Sequence, residues 1–166
     1  AVQSVRALIN QSRDFAELGL SLGALFNNAE AGKKVFGDLV GIVREFPRAF
    51  NLQSIGENAK LLAAFKFSAA EVPEVLRKVA GAAILGEDRI QRLLIAAGQI
   101  KSKGVLQAEE ALQFAEAGVE VYGTLAKAAG VTELQIRKLG EKGFLKADAV
   151  LPVILNEINK TFSGAQ

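Results

Sequence analysis

The chain has 166 residues and a formal net charge of +2, and half of its residues are apolar. A chain of this length can bury about 70% of the surface that it exposes when unfolded, so it can form a real hydrophobic core. The absence of cysteine excludes disulfides and thiolate chemistry, and the absence of histidine removes the usual general base and the commonest metal ligand. Basic and acidic residues are interspersed, and this pattern does not form the basic stripe that nucleic-acid binding requires.

No segment has the pattern of a targeting signal or a membrane span. The first ten residues include Arg6 and lack the apolar core of a secretory signal. The uncharged stretch at residues 18–29 is well short of the ~20 apolar residues that a membrane helix needs. Because the sequence contains no Met, we interpret it as a fragment of a longer chain or a processed product.

Apolar residues in the first half follow helical spacing. One stripe consists of Phe36, Leu39, Val40, Val43 and Phe46. Pro47 predicts the end of this helix, because the residue before a proline is disfavoured in the helical region. A second stripe (Val72, Val75, Leu76 and Val79) follows Ser68 and Glu71, whose spacing predicts a capping box at the start of a helix.

The second half has two more stripes and regular glycines. Ile90, Leu93, Leu94 and Ala97 follow Gly86, and Val150, Ile154 and Ile158 predict a last helix with Pro152 in its first turns. Glycines are expected to separate short helices at five positions: Gly104, Gly118, Gly130, Gly140 and Gly143.

Strands are not indicated, although residues 65–67 and 105–106 are predicted to be short extended links. We therefore expect an all-α fold, a compact bundle of about seven to nine short helices with Gly- and Pro-containing turns. Residues 1–166 are expected to form a single helical segment, with subdomains 1–85 and 86–166 as the alternative division.

Two short segments have similar sequences. Residues 103–109 (KGVLQAE) and 142–148 (KGFLKAD) each place a glycine, an apolar pair and an acid before a predicted helix. An acid is favoured at that position by the helix dipole. Two copies are too few for a solenoid, so we interpret the similarity as a repeated solution for turning and capping.

The motifs associated with catalysis or ligand binding are absent or incomplete. Residues 31–34 (AGKK) lack the upstream glycine and the following Ser or Thr of a phosphate-binding loop, since Asn27 and Lys34 occupy those positions. Four acids, Glu109, Glu110, Glu116 and Glu120, are interpreted as the solvated face of a helix. We therefore expect no catalytic, cofactor-binding or metal-binding residues, and no enzyme activity.

Glycine pairs and phenylalanines are interpreted as structural. Gly19/Gly23 and Gly37/Gly41 have the GxxxG spacing, which in chains without a membrane span predicts close packing of helices. The ten Phe residues lie mostly at apolar-face spacing and are expected in the core.

Several motifs follow one another in order from residue 98 onward. They lie at residues 98–110, 113–119, 125–132, 139–143 and 147–150. These segments resemble the tape measure domain of the tail length tape measure proteins of tailed bacteriophages and prophages. That family shows a "GQ…KG.(V/L).AEE…EAG" run, a "GV(S/T)" helix start and an "L.E.G.(L/I).AD..(L/V)" run.

Upstream residues agree with the family more loosely. Residues 59–69 (AKLLAAFKFSA) resemble its "LLAFGFSA" segment, and the resemblance as a whole covers residues 15–162. There are two departures. Lys66 replaces a small residue in the "AFGF" link, and Glu120 stands where the family often has a proline after the "EAG" element.

The resemblance implies a structural role inside the phage tail. Such proteins set tail length by acting as a ruler for tube polymerisation, and they leave with the DNA at infection. It also implies homo-oligomers and contacts with tail tube subunits, tail tip or baseplate proteins and tail assembly chaperones. The implied location is the tail tube lumen or tip of the virion, and the host cytoplasm during assembly.

Two other functions are alternatives to this one. A cytoplasmic helical module unrelated to phage could bind a partner helix in an exposed apolar groove. A sequence-specific nucleic-acid binder would need clustered Lys and Arg on one face, which the charge pattern does not supply.

Overall fold

Nine α-helices and one 3₁₀ segment form the part of the chain that the structure describes. This computed structural model describes the backbone of residues 2–163 and the side chains of residues 13, 14, 16–86 and 88–163. In chain order the elements are α1 (Val2–Leu25), α2 (Ala29–Glu45), α3 (Leu52–Ala64), α4 (Glu71–Val79), the 3₁₀ segment (Ala80–Leu85), α5 (Glu87–Lys103), α6 (Ala108–Glu116), α7 (Val121–Ala129), α8 (Glu133–Glu141) and α9 (Ala147–Ser163). The predicted all-α class and the number of helices are confirmed.

Side-chain caps explain where several helices begin. The predicted capping box is present before α4: the Ser68 N–H donates to Glu71 Oε2 (2.7 Å), and the Glu71 N–H donates to Ser68 Oγ (3.3 Å). Asn51 and Ser54 form the same reciprocal arrangement at α3, as do Thr132 and Gln135 at α8. These side chains satisfy backbone groups that the first helical turn leaves without partners.

One kind of turn ends five of the helices. In the Schellman motif a residue with positive φ follows the helix, and the next N–H donates to the carbonyl five residues back. The residues with positive φ in these turns are Asn27, Lys66, Gly118, Gly130 and Gly143. Their closing bonds are Asn28 to Gly23, Phe67 to Leu62, Val119 to Phe114, Val131 to Ala126 and Phe144 to Leu139.

Two local predictions were wrong. Residues 65–67 are not an extended link, because Lys66 has φ 75° and the chain reverses within the turn that ends α3. Gly140 does not separate two helices. It lies inside α8, and an added Cβ would be 3.2 Å from the Leu145 side chain, so this glycine allows the following turn to pack closely.

The core is built around α5 and α9. The predicted stripe Ile90, Leu93, Leu94 and Ala97 is buried in α5, and Val150, Ile154 and Ile158 are buried in α9. Helices α1, α2 and α3 pack on one another, and α3 and α4 connect this group to α5. On the other side, α6 packs on α5 and α7 packs on α9. The buried apolar side chains form one cluster that extends from Leu18 to Phe162.

Most of the phenylalanines lie in or against this core, as predicted. Phe50, Phe67, Phe114 and Phe162 are buried, and Phe26, Phe36, Phe46 and Phe65 pack against the buried cluster. Phe144 is the exception among the described side chains, with 61% of its surface exposed. The side chain of Phe15 lies outside the described residues.

The glycine pairs were only partly interpreted correctly. Gly23 does support close helix packing, but its neighbour is Gly32 in α2, where an added Cβ would collide with the Gly23 backbone. Gly19 and Gly37 have no atom within 4 Å of an added Cβ, and Gly41 has only the end of the Arg77 side chain there. The close contact therefore joins α1 to α2 across their connecting turn.

The two segments of similar sequence lie side by side. The Leu106 N–H donates to the Leu145 carbonyl (2.8 Å), and the Ala147 N–H donates to the Gly104 carbonyl (2.9 Å). These bonds form an isolated antiparallel bridge between Val105 and Lys146, which confirms the predicted extended link at residues 105–106. The bridge fixes the start of α6 next to the start of α9.

Candidate functional site

The motif at residues 31–34 has a structural explanation. It occupies the first turns of α2, where Asn28 Oδ1 accepts from the Ala31 N–H (3.1 Å) and Gly32 packs against α1. Within the described side chains, no three acidic groups are placed where they could hold a metal ion.

One of the four acids interpreted as solvated is buried. Glu109, Glu116 and Glu120 are exposed, but Glu110 is 0% exposed. The Lys103 Nζ lies 2.8 Å from Glu110 Oε1, and apart from this ion pair the Glu110 oxygens have no hydrogen-bond partner in the described structure. The interpretation was wrong for Glu110, because this side chain faces α5 together with Ala111 and Phe114.

The sequence contained a signal for this buried acid. Glu110, Phe114 and Ala117 are spaced i, i+4 and i+7, which places Glu110 on the apolar face of its helix. Lys103 reaches the carboxylate from the end of α5, and its ammonium also lies 3.3 Å from Glu109 Oε2. The Glu110 carboxylate beside it raises the pKa of Lys103 above its ordinary value.

A second polar contact joins α4 to α5. Lys101 Nζ lies 2.9 Å from Glu71 Oε1 and 5.6 Å from the centroid of the Phe67 ring. Burial alone raises the pKa of the Glu71 carboxyl, but the Ser68 N–H and the Lys101 ammonium lower it more. The resulting pKa is below the ordinary value.

Helix α8 is attached to the rest of the fold by few contacts. It packs mainly against α7, and Ile136 is its buried side chain. The Arg137 guanidinium lies 4.3 Å from the centroid of the Tyr122 ring on α7, a cation–π distance. Burial raises the pKa of the Tyr122 hydroxyl, although the Arg137 charge opposes this effect.

Two surfaces stand out as places where a partner could bind. The first is the outer side of α8 and the turn after it, where Leu134 is 62% exposed and Phe144 is 61% exposed. The second is a groove of about 460 Å³ between α1 and α3, which is lined by both acidic and apolar side chains. No helix in the described part of the chain is long and apolar enough to cross a membrane.

The family assignment rests on nearly the whole chain. Residues 6–166 match the sequence model of the family described as "Tape measure protein". The chain belongs to the tape measure protein family. This match includes residues 15–162, over which the sequence resembles the family, and it places the chain in the tails of phages. No curated protein sequence and no solved structure matches the chain.

Both departures from the family pattern lie between helices in this tape measure protein. Glu120 precedes α7 with φ −89° in an extended conformation, so a proline at this position would need a modest change in φ toward about −65°. Lys66 occupies the left-handed position of a Schellman motif, where a glycine has no steric cost. A helical binding module unrelated to phage does not fit the match over residues 6–166.

Proposed function

We propose that this chain is a non-catalytic segment of a tape measure protein that sets tail length and supports tail tube assembly and DNA ejection. The observation that carries the proposal is the family match over residues 6–166. The helical fold supports it, because a ruler needs persistent length and contact surfaces. The polar contacts at Lys103–Glu110 and Lys101–Glu71 join helices to each other and have the character of structural ion pairs.

The proposal includes the partners that this role requires. The segment works as a homo-oligomer and contacts tail tube subunits, the tail tip or baseplate, and the tail assembly chaperones. It resides in the tail tube lumen or at the tip in the virion, and in the host cytoplasm during assembly. The exposed side of α8 and the groove between α1 and α3 are the surfaces that support such contacts.

The test is an in-frame deletion of residues 6–166 from the tape measure gene of a phage that carries this sequence. Tail length is measured by electron microscopy, and the intact gene supplied in trans is the control. Shorter tails of otherwise normal appearance support the ruler role. Tails of unchanged length contradict it.

A further inference from the structure

The outer side of α8 presents apolar and basic side chains that are exposed and lie outside the core of the described fold. Leu134, Lys138 and Lys142 are spaced i, i+4 and i+8, so they form one stripe, and Phe144 follows in the next turn. All four are exposed, and the two lysines form no ion pair with any described residue. We call these four residues the α8 patch.

The acids of α8 offset only part of the positive charge of this patch. Glu133 faces α7, since its Oε1 is 3.0 Å from the position of a Cβ added at Gly123. Glu141 is exposed and lies three residues after Lys138, so it is next to the patch, but it forms no ion pair with a described residue. Two lysines against one acid leave the α8 patch with a net positive charge.

The groove between α1 and α3 has the opposite character. Asp14, Glu17 and Glu57 line it around a floor that includes Leu18 and Leu52, and Lys60 is the one base among its lining residues. Asp14 and Glu17 form no ion pair with a described residue, and Glu57 accepts a hydrogen bond from Gln53 Nε2 (3.2 Å). We call this surface the α1/α3 groove.

Apolar side chains lie beside the charges on both surfaces. Leu18 and Leu52 line the groove, and Leu134 and Phe144 belong to the α8 patch. Leu20 is 78% exposed and lies three residues after Glu17 on α1, but it is not among the residues that line the groove. The two surfaces thus complement each other in charge, and each contributes apolar area.

The two surfaces cannot meet within one molecule. Helix α1 packs against α2 and α3, whereas α8 packs against α7, and α7 packs against α6 and α9. We propose that the α8 patch of one copy docks in the α1/α3 groove of a second copy. This inference rests on the self-association included in the proposed function and names the surfaces that produce it. Because the two surfaces differ, the contact is head-to-tail and leaves one free surface at each end, so it can continue to further copies.

Sedimentation velocity and light scattering over a concentration series up to about 0.5 mM test the proposal on the chain itself. We expect the average molar mass to rise with concentration, and to rise less at high salt because the contact is partly electrostatic. Reversal of the patch charges (Lys138→Glu with Lys142→Glu) is expected to weaken association at least about tenfold. Reversal of the groove charges (Glu17→Lys with Glu57→Lys) is expected to do the same.

A mixture of the two reversed variants provides the decisive comparison. Each variant alone has two surfaces of like charge, but in the mixture each patch meets a groove of opposite charge, so association returns. Lys34→Glu with Lys160→Glu, which makes the same charge change at exposed sites elsewhere, is the control and leaves association as in the original chain. Leu134→Ser is expected to weaken association without lowering the melting temperature, since Leu134 is 62% exposed.

Three results would overturn the inference. The original chain could remain monomeric, the reversed variants could associate like the control, or their mixture could stay dissociated. The tail-length measurement tests the ruler role separately, because its outcome does not depend on whether the chain associates in solution. If the chain associates and neither reversal weakens the association, the chain self-associates through surfaces other than the α8 patch and the α1/α3 groove.

Discussion

The Nζ atom of Lys103 lies 2.8 Å from Oε1 of Glu110, and this contact joins a partly exposed ammonium group to a fully buried carboxylate. The pair lies between the end of α5 and the start of α6, on either side of the segment that forms the backbone bridge with residues 145–147. Burying a carboxylate is costly unless a partner compensates its charge. Lys103 is that partner, so the position of α6 depends on it.

Removing the charge of Lys103 should therefore destabilise the fold. We expect Lys103→Met to lower the melting temperature by several degrees, because Glu110 is then left buried without a counter-charge. Adding Glu110→Leu should recover most of the loss, since an apolar pair needs no compensation. Thermal unfolding followed by circular dichroism checks both. Glu109→Gln is the control, because the Glu109 side chain is 65% exposed. Equal melting temperatures for Lys103→Met and the original chain would refute this account of the pair.

Lys66 is strained where the family pattern has a small residue. Its φ of 75° lies in the left-handed region, which costs an L-residue about 1–2 kcal/mol relative to the right-handed helix. Glycine avoids this cost but adds entropy to the unfolded chain, so Lys66→Gly should stabilise the protein by about 0.5–1 kcal/mol. Urea unfolding measures the difference, with Lys60→Gly inside α3 as a destabilising comparison. A loss of stability in Lys66→Gly would contradict the assigned turn.

Gly32 and Gly37 lie in the same helix, α2, but differ in the space that is free for an added Cβ. A Cβ at Gly32 would meet the backbone of Gly23, which cannot move independently, so Gly32→Ala should cost about 1–3 kcal/mol. A Cβ at Gly37 meets nothing within 4 Å. Gly37→Ala should therefore raise the free energy of unfolding by about 0.5–1 kcal/mol, because alanine has a higher helix propensity than glycine. The free energies of unfolding of the two variants should thus change in opposite directions. Changes of the same sign would show that α1 and α2 do not approach at Gly23.

The Glu71–Lys101 pair should make stability depend on acid pH. The folded pKa of Glu71 is below the ordinary pKa of a glutamate, so its contribution to stability is present at neutral pH and is lost as the pH falls below the ordinary pKa and through the folded pKa. Glu71→Gln keeps a side chain that can cap α4 but removes the charge. We expect a loss of about 0.5 kcal/mol or less at about pH 7, which becomes smaller at about pH 3. Melting curves of Glu71→Gln and the original chain at both pH values test this. If the difference in stability between them grew in acid, the assigned direction of the Glu71 pKa shift would be wrong.

The sequence was sufficient to predict those features that depend on local periodicity and capping. The stripe from Phe36 to Val43 lies in α2, and Phe46 caps the end of this helix directly before Pro47. The Ser68–Glu71 capping box is formed as predicted. Gly118 and Gly130 end helices because their positive φ is readily adopted only without a side chain. Each of these features depends on residues within a few positions of one another.

The features that were missed depend on contacts between distant elements or on uncommon backbone conformations. The positive φ of Lys66 could not be predicted from a residue type that rarely adopts it. The contact of Gly32 with Gly23 depends on how α2 folds back on α1, and the α1/α3 groove exists only once α3 has packed. Glu110 was assigned to solvent because several acids near it are exposed, although its own spacing to Phe114 indicated burial.

Tail length in a phage that carries two tandem copies of this segment tests the central claim most directly. A duplication keeps the surfaces that docking requires, so tails still assemble. If the added copy opens into continuous helix, tails should lengthen by up to about 250 Å, at about 1.5 Å per residue. If it stays folded, the increase should be about 40 Å, the width of a compact chain of this size. Longer tails in the duplication and shorter tails in the deletion are the result that we predict. Tails of the original length in both would contradict the ruler role.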